Sequence, residues 1–131
     1  MNRRPTSGVV GIDFAVSLAT LMLVITAVFD LGNLIAARHS LNFGVFTAAR
    51  YAAVNSGAST AAIIAAFAAA VKPTLGQTGA ANCTVSVSFP SGNTVGGAVL
   101  ITASYPWSPA SLLDGLAHIT VSSQQVLTIQ H

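Results

Sequence analysis

A single acidic residue inside an otherwise apolar stretch is the feature of this chain with the clearest chemical consequence. The stretch covers Val9–Phe29, and Asp13 is the one charged residue in it. A carboxylate at membrane depth is energetically expensive and by default marks a functional site. Asp13 lies five positions after Gly8, and Arg3 and Arg4 precede the stretch. This spacing predicts a short basic leader, proteolytic cleavage after Gly8, and a mature chain whose fifth residue is acidic.

The apolar stretch is long enough to cross a membrane as a retained helix. At about 1.5 Å per residue, Val9–Phe29 would rise about 32 Å, and the hydrocarbon core of a bilayer is about 30 Å thick. A secretory signal has a shorter apolar region followed by a small-residue cleavage site, which Asp30-Leu31-Gly32-Asn33 does not supply. Because Arg3 and Arg4 precede the helix, the positive-inside rule predicts a cytoplasmic amino terminus and an extracytoplasmic remainder.

The same helix is predicted to continue beyond the membrane. No proline interrupts Val9–Ala53, and Asn55-Ser56-Gly57 supplies a stop signal. Asn33, Ser40 and Thr47 fall together on one face. The apolar residues of a second face recur in steps of three, four and seven, and they are Leu31, Leu34, Leu41, Val45, Ala48 and Ala52. We therefore expect one helix of about forty residues, lipid-compatible in its first half and amphipathic in its second.

A second, alanine-rich helix is predicted to follow. Ser59 or Thr60 can cap its start, Lys72 suits its C-terminal dipole, and Pro73 is expected to end it. Its apolar stripe consists of Ile63, Ile64, Phe67 and Val71. This helix is too short to cross a bilayer, and its small alanines favour close packing on the first helix. Residues 74–82 are predicted to form a loop.

The last third of the chain changes to the two-residue period of β-strands. Apolar and polar residues alternate around Val85–Phe89, Val99–Tyr105 and Ile119–Ile129. Pro90–Asn93 has turn chemistry, and Pro106–Gly115 is too rich in proline to continue a strand. We expect an α+β fold in which a three-stranded antiparallel sheet covers the two helices. The predicted parts are a leader at 1–8, a transmembrane helix at 9–30, its extracytoplasmic continuation at 31–56 and a small α+β domain at 57–131.

Charge and cysteine content narrow the classes of function. The formal net charge of +2 comes from Arg3 and Arg4, so removal of residues 1–8 leaves a neutral chain without a basic patch for nucleic acid. Cys83 is the single cysteine, so it cannot form an intrachain disulfide. We interpret it as a buried or half-buried strand residue in preference to an intermolecular bridge.

Catalysis finds little support in the sequence. The histidines, His39, His118 and His131, lack metal-ligand spacing, and no second cysteine or carboxylate cluster joins them. Ser111 and Asp114 lie near His118, but hydrolase triads are defined by geometry and no G-x-S-x-G nucleophile elbow occurs. We therefore expect a non-enzymatic protein with no metal, no cofactor and no small-molecule substrate.

Five segments together match the pattern of one known family. They are Gly8–Ala15, the run ending in Phe29–Gly32, Ala37-Arg38, Ala48–Ala52 and Tyr105–Pro109. In these segments the chain resembles the TadE-like minor pilins, prepilin-type proteins of bacterial tight-adherence (Flp-type) pilus systems. The chain departs from the family at Asp13, where glutamate is usual, and in its lone cysteine, where some relatives have a pair.

The resemblance implies cleavage between Gly8 and Val9 by a prepilin peptidase on the cytoplasmic face of the inner membrane. Glycine suits this position because no Cβ obstructs a protease that binds the backbone in extended form. Cleavage would create an α-amino group on Val9, and Asp13 of a neighbouring subunit could pair with it. Because an unpaired buried charge is strongly penalised, such a pair would fix axial register more than it would strengthen the assembly. The implied partners are other pilins, pilus-assembly membrane proteins, the peptidase and membrane lipid, with no nucleic acid.

Further residues are candidates for a subunit interface. For several of them, a role within their own subunit or at the membrane boundary is an alternative. These candidates are Phe14, Asp30, Arg38, Arg50, Tyr51 and Trp107. Asp13 could instead cap the first helical turn, where the dipole favours an anion, and Asp30 could mark the outer membrane boundary. Arg50 could pack its stem along its own domain. Trp107 could pack within the domain or belong to the aromatic belt of the membrane.

The sequence thus predicts a minor pilin that primes, caps or modifies a cell-surface pilus, or acts in its assembly complex. One alternative is an uncleaved single-pass scaffold with a small extracytoplasmic domain. A second alternative is a pilus-tip adhesin module that binds surfaces through the Pro106–Gly115 connection.

Overall fold

The computed structural model describes residues 7–109 and 118–130, with side chains from Val10 onward. Its elements are α1 (Ser7–Val54), α2 (Thr60–Ala81), β1 (Thr84–Ser88), β2 (Ala98–Trp107) and β3 (Ile119–Thr128). The predicted α+β fold, with a long apolar first helix, a second helix and a three-stranded antiparallel sheet, is confirmed. The residues named above that lie outside the described ranges are Arg3, Arg4, Ser111, Asp114 and His131.

The first helix is continuous over 48 residues, which corresponds to about 72 Å. Its first part, Val10–Phe29, is largely exposed, whereas the part after Asp30 packs against α2 and the sheet. The helix ends next to the predicted stop signal. There the Asn55 side-chain amide donates to the Tyr51 carbonyl over 2.8 Å, and Gly57 adopts a φ of 75°.

The second helix is longer than the sequence predicts. Its start is as expected, because the Ser59 hydroxyl accepts the N–H of Ala62 at 3.2 Å. The prediction that Pro73 ends it is wrong, and so is the loop predicted for 74–82. The chain stays helical past Pro73, where Leu75 packs against the core, and it leaves the helical path at Gly76, whose φ is 72°. Glycine adopts this conformation without steric penalty, and a second helical stretch then runs to Ala81.

The sheet has the order β1-β2-β3, with both pairs antiparallel and β2 in the centre. Val99, Ile101 and Ala103 of β2 are buried against the helices, so the observed alternation follows the predicted one. The expectation that the chain leaves the strand at Pro106 is wrong, because β2 continues to Trp107. Since β1 pairs only as far as Ser104, Pro106 lies where β2 has one strand neighbour, and a missing N–H is tolerated there.

The hydrophobic core lies between the second half of α1, the first part of α2 and the inner face of the sheet. Its members are Leu41, Val45, Ala48, Ala49, Ala52, Ile63, Phe67, Val71, Val99, Ile101, Ala103, Val121 and Ile129. Two residues of the predicted apolar faces are exposed instead, Leu31 at 57% and Ile64 at 36%. Conversely, Ser40, predicted to lie on a polar face, is buried and donates to the Val71 carbonyl over 3.5 Å. Helical periodicity therefore predicted the buried faces of the two helices approximately. Which residues at the borders of these faces are buried depends on how α1 and α2 pack.

The two helices approach each other most closely at Gly44. A Cβ on Gly44 would contact the Val71 side chain and would lie 2.9 Å from Cε2 of Phe67. These separations are shorter than ordinary van der Waals contact, so the helix pair requires glycine at this position.

Candidate functional site

The first part of α1 is an exposed apolar rod, defined here as Val10–Phe29. Its large side chains face outward, including Val10 at 67% exposure, Phe14 at 68% and Phe29 at 70%. The most apolar stretch of the helix has no residue buried inside the structure. By length and composition this helix can cross a membrane, since twenty residues rise about 30 Å, which equals the thickness of the hydrocarbon core.

The polar residues of the apolar rod satisfy part of their own hydrogen bonding. Thr20 Oγ1 donates to the Val16 carbonyl at 2.9 Å, and Thr26 Oγ1 donates to the Leu23 carbonyl at 2.9 Å. Back-bonding of this kind hides a hydroxyl from an apolar environment. Threonines in the rod are therefore compatible with lipid or with an apolar helix–helix contact. The ionised carboxylate of Asp13 differs, because it cannot donate a hydrogen bond to a backbone carbonyl.

Asp13 is exposed on the rod, and it is the only charged residue among Val10–Phe29. Since α1 begins at Ser7, Asp13 lies beyond the first helical turn, which contains no acidic residue. Val9 and Asp13 are four residues apart, which places them about one turn, or about 6 Å, apart along the helix axis. Such a spacing brings positions i and i+4 onto the same face of the helix.

The expected cleavage site lies in the helix backbone. Gly8 and Val9 both belong to the first turn of α1. The amide groups of a first turn have no helical acceptor, so this turn unwinds more easily than the interior of the helix. A peptidase that binds an extended substrate would need that unwinding before it could cleave between these residues.

Asp30 lies where α1 enters the folded domain. Its side chain is only 7% exposed, in contrast to the rod before it, and it takes part in an interaction of its own. The residue therefore marks the transition between the exposed and the packed part of the helix. Tyr51, near the other end of α1, is 39% exposed.

Arg38 and Arg50 are both exposed and line open grooves between α1 and β3. Trp107 is half-buried and packs against the core from the end of β2, beside Tyr105. This placement agrees with a packing role within the domain. The Pro106–Gly115 connection considered for an adhesin is described only as far as Pro109, and its first two residues belong to β2.

The structure does not assemble the candidate residues into one cluster. Asp13 and Phe14 lie on the rod, Asp30, Arg38, Arg50 and Tyr51 follow along α1, and Trp107 lies in the sheet. Among residues 10–109 and 118–130, no three His, Cys, Asp or Glu side chains come together as a metal site would require. The sequence alone did not predict the close approach at Gly44, nor that β3 lies at an edge of the sheet. Both depend on which elements become neighbours in the folded chain.

The second helix also meets the length and composition of a membrane span. However, it contains Lys72 and Pro73, and it breaks at Gly76. The helical stretch before the break is about 16 residues, or about 24 Å, which is shorter than a hydrocarbon core. Because Ile63 and Phe67 are fully buried against α1, we assign α2 to the domain core.

Comparisons with known proteins add no relative. No protein-family model, curated protein or solved structure matches this chain. Any function must therefore be inferred from the apolar rod, its carboxylate and the attached domain.

Proposed function

We propose that this chain is a non-enzymatic, TadE-like minor pilin that assembles, primes or modifies a tight-adherence pilus. The supporting observation is the apolar rod, which is exposed, carries a single carboxylate at Asp13 and continues without a break into a folded α+β domain. An apolar surface of this size is normally covered by a membrane or a partner. A pilin would use both coverings, lipid before assembly and neighbouring helices afterwards.

The continuity of α1 gives this role a mechanical basis. The helix contains no proline and is continuous from Ser7 to Val54. Its second half is also part of the domain core, through residues such as Leu41 and Val45. A force or register shift applied to the rod would therefore move the α+β domain with it, as transfer from membrane to filament requires.

The proposed role of cleavage after Gly8 is to lower the free-energy cost of burying the Asp13 carboxylate. Cleavage after Gly8 would remove Arg3 and Arg4 and create an ammonium group on Val9, one helical turn from Asp13. That ammonium group can pair with Asp13 of its own chain or of a staggered neighbour. A carboxylate without such a partner would strongly oppose burial in an apolar bundle. The mature chain, and not its precursor, would then be the form that enters an assembly.

We further propose that the rod spans the bacterial inner membrane with its amino terminus in the cytoplasm. Arg3 and Arg4 precede the rod and favour this orientation. The α+β domain, which begins after Asp30, would then lie on the extracytoplasmic side. Its partners would be other pilins, the assembly machinery and the peptidase.

A processing experiment tests this proposal in cells that contain the chain's own pilus system. N-terminal sequencing and mass spectrometry of the working protein are expected to give a mature start at Val9. Gly8→Lys is expected to block maturation, because a long side chain would obstruct the bond to be cleaved. An intact Met1 in the working protein would contradict the proposal.

The role of Asp13 is tested with the same cells. Asp13→Ala is expected to insert normally into the membrane but to reduce incorporation into pili by about tenfold or more, because the charge that matches the Val9 ammonium is lost. Asp13→Glu keeps the charge and is expected to incorporate. Gly11→Ala is a matched control, since a Cβ there meets nothing within 4 Å. Equal incorporation of Asp13→Ala and Gly11→Ala would refute the register role.

An uncleaved membrane scaffold is the second candidate, and one observation favours it. The Gly8–Val9 bond lies in a helical turn, not in the extended backbone that a peptidase binds. A scaffold would keep residues 1–8 and use the rod only as an anchor. The N-terminal sequence of the working protein separates the two functions.

A further inference from the structure

The β3 strand forms an edge of the sheet. Ile129 donates its N–H to the Gly97 carbonyl over 2.8 Å, so the regular antiparallel ladder directs odd-numbered residues of β3 toward β2. The even-numbered residues from Thr120 to Thr128 therefore direct their N–H and C=O groups outward. No backbone hydrogen bond connects these groups to another element within the described ranges. Such an edge is a template for one more strand.

Near each of its two ends, β3 forms one wall of an open cavity whose other wall is α1. At one end, Leu34 and Arg38 lie opposite residues 119–122 of β3. At the other end, Phe46, Arg50 and Val54 lie opposite residues 127, 128 and 130. Earlier residues of α1 thus lie beside the start of β3 and later ones beside its end, so the two elements run in the same direction. Just after β3, Gln130 donates its N–H to the Ala53 carbonyl over 2.8 Å. We call this junction the α1–β3 groove.

The α1–β3 groove carries positive charge. Arg38 and Arg50 are exposed, and neither forms an ion pair with a described residue. The described residues that line the two ends of the groove include no acidic side chain. The edge itself is uncharged, because β3 contains no Lys, Arg, Asp or Glu. An edge strand without charges lacks the usual protection against pairing with another chain.

The spacing of the two arginines matches an extended partner. Arg38 and Arg50 are separated by 12 positions in sequence, or about 18 Å along the helix. At about 3.3 Å per residue, a strand covers this distance in about five to six residues. Twelve helical positions are about three and a third turns, so the two arginines leave α1 about 120° apart around its axis. A single extended segment of this length is long enough to pass both arginines.

We infer that the α1–β3 groove binds an extended acidic segment of another protein. The segment adds to β3 as a fourth strand and places carboxylates beside Arg38 and Arg50. A second copy of this chain is disfavoured, since its described acidic residues, Asp13 and Asp30, lie on α1 and not on a strand. Pairing of two β3 edges would also bring arginines toward each other. This inference goes beyond the proposed function and holds for a pilin or a scaffold alike.

The test uses the full chain, isotope-labelled, in detergent micelles. The probe is a peptide of about eleven alternating threonine and valine residues that carries two aspartates about six positions apart. Its binding is expected to shift the amide NMR signals of Thr120, Ser122, Gln124, Val126 and Thr128 and to slow their hydrogen exchange. The same peptide with asparagines in place of the aspartates is expected to bind more weakly, and the difference is expected to shrink at high salt.

Variants separate the charge from the strand edge. Arg38→Gln and Arg50→Gln are each expected to weaken binding about twofold to fivefold, as for an exposed ion pair. Lys72→Gln is the matched control, because Lys72 lies on α2 and does not line the groove. Gln124→Pro removes an outward N–H and is expected to abolish binding, whereas Gln124→Ala keeps that N–H and is expected to bind normally.

Three results would overturn the inference. The first is an absence of any change in the β3 amides at millimolar peptide. The second is equal affinity for the aspartate and asparagine peptides. The third is protection of the β3 amides without peptide that disappears on dilution, because this would identify a second copy as the occupant.

Discussion

Single residues in this protein acquire their roles from neighbours that are distant in sequence. Asp13 is chemically conspicuous because everything around it is apolar and exposed. Asp30, by contrast, is buried at the entry to the domain. Cys83, just before β1, is half-buried, and its Sγ donates to the Gly79 carbonyl at 3.4 Å. Burial raises the pKa of the Cys83 thiol above its ordinary value, because the charged thiolate is poorly solvated there.

The raised pKa predicts a slow reaction of Cys83 with thiol reagents at neutral pH. The thiolate is the reactive form, so labelling of the folded chain is expected to be several-fold slower than labelling of the chain in denaturant. The measurement is the rate of maleimide or disulfide-reagent labelling from pH 7 to pH 10.

The same shift has a defined sign for stability. The pKa of the Cys83 thiol is higher in the folded chain than in the unfolded chain. The contribution of the neutral thiol to the free energy of unfolding is therefore fully present below the unfolded pKa. It is lost as the pH rises through the folded pKa. Cys83→Ala is the control, because its stability should lack this alkaline decline. Equal labelling rates for the folded and unfolded chains at pH 7 would contradict the assignment.

At the scale of elements, the helices and strands differ in how much of their surface is buried within the domain. The second half of α1 contacts both α2 and the sheet, whereas the apolar rod contributes nothing to the core. The α1–α2 contact depends on close approach at Gly44, with Ser40 bonded to α2 nearby. At the opposite side of α1, the β3 edge stays open within the described ranges. The helix pair is therefore the closely packed part of the domain, and the α1–β3 groove is an open surface.

The helix contact predicts opposite effects for two glycine substitutions in α1. Gly44→Ala is expected to destabilise the protein by about 1–2 kcal/mol, because overpacking against Val71 and Phe67 exceeds the gain in helix propensity. Gly32→Ala is the matched control, since a Cβ there meets nothing within 4 Å. It is expected to be neutral or to stabilise by up to about 1 kcal/mol. Chemical denaturation of both variants in the same detergent provides the comparison, and equal stabilities would disprove the close approach.

At the scale of the whole molecule, two parts with different surfaces share one helix. The rod exposes apolar side chains along its length, while every buried apolar residue of the domain is Ala37 or later among the described residues. The domain can therefore be stable without the rod. The rod, however, requires lipid or partner helices, since an isolated apolar helix of this length has nothing else to cover it.

This division predicts the effect of a truncation. Removal of residues 1–29 is expected to leave a folded, water-soluble domain, because no core residue is lost and Asp30 is retained. Circular dichroism and cooperative thermal unfolding measure the fold, and membrane fractionation measures the loss of anchoring. The full-length Asp13→Ala variant is the control and should stay in the membrane fraction. A truncated chain that is unfolded, or that remains with the membrane, would contradict this picture.

Local patterns in the sequence determined the length and apolar character of α1, its stop after Val54 and the strand alternation, since each depends on a short-range period or a nearby turn residue. Asp13 stood out for the same reason, as one charge among apolar neighbours. Only the tertiary structure decided that α2 continues past Pro73 to a break at Gly76, that β2 continues through Pro106, and that Gly44 is a contact point. These features depend on packing against distant elements or on an empty place beside a strand. The α1–β3 groove belongs to this second group, because the order of strands in a sheet is a property of the folded chain and of no single segment.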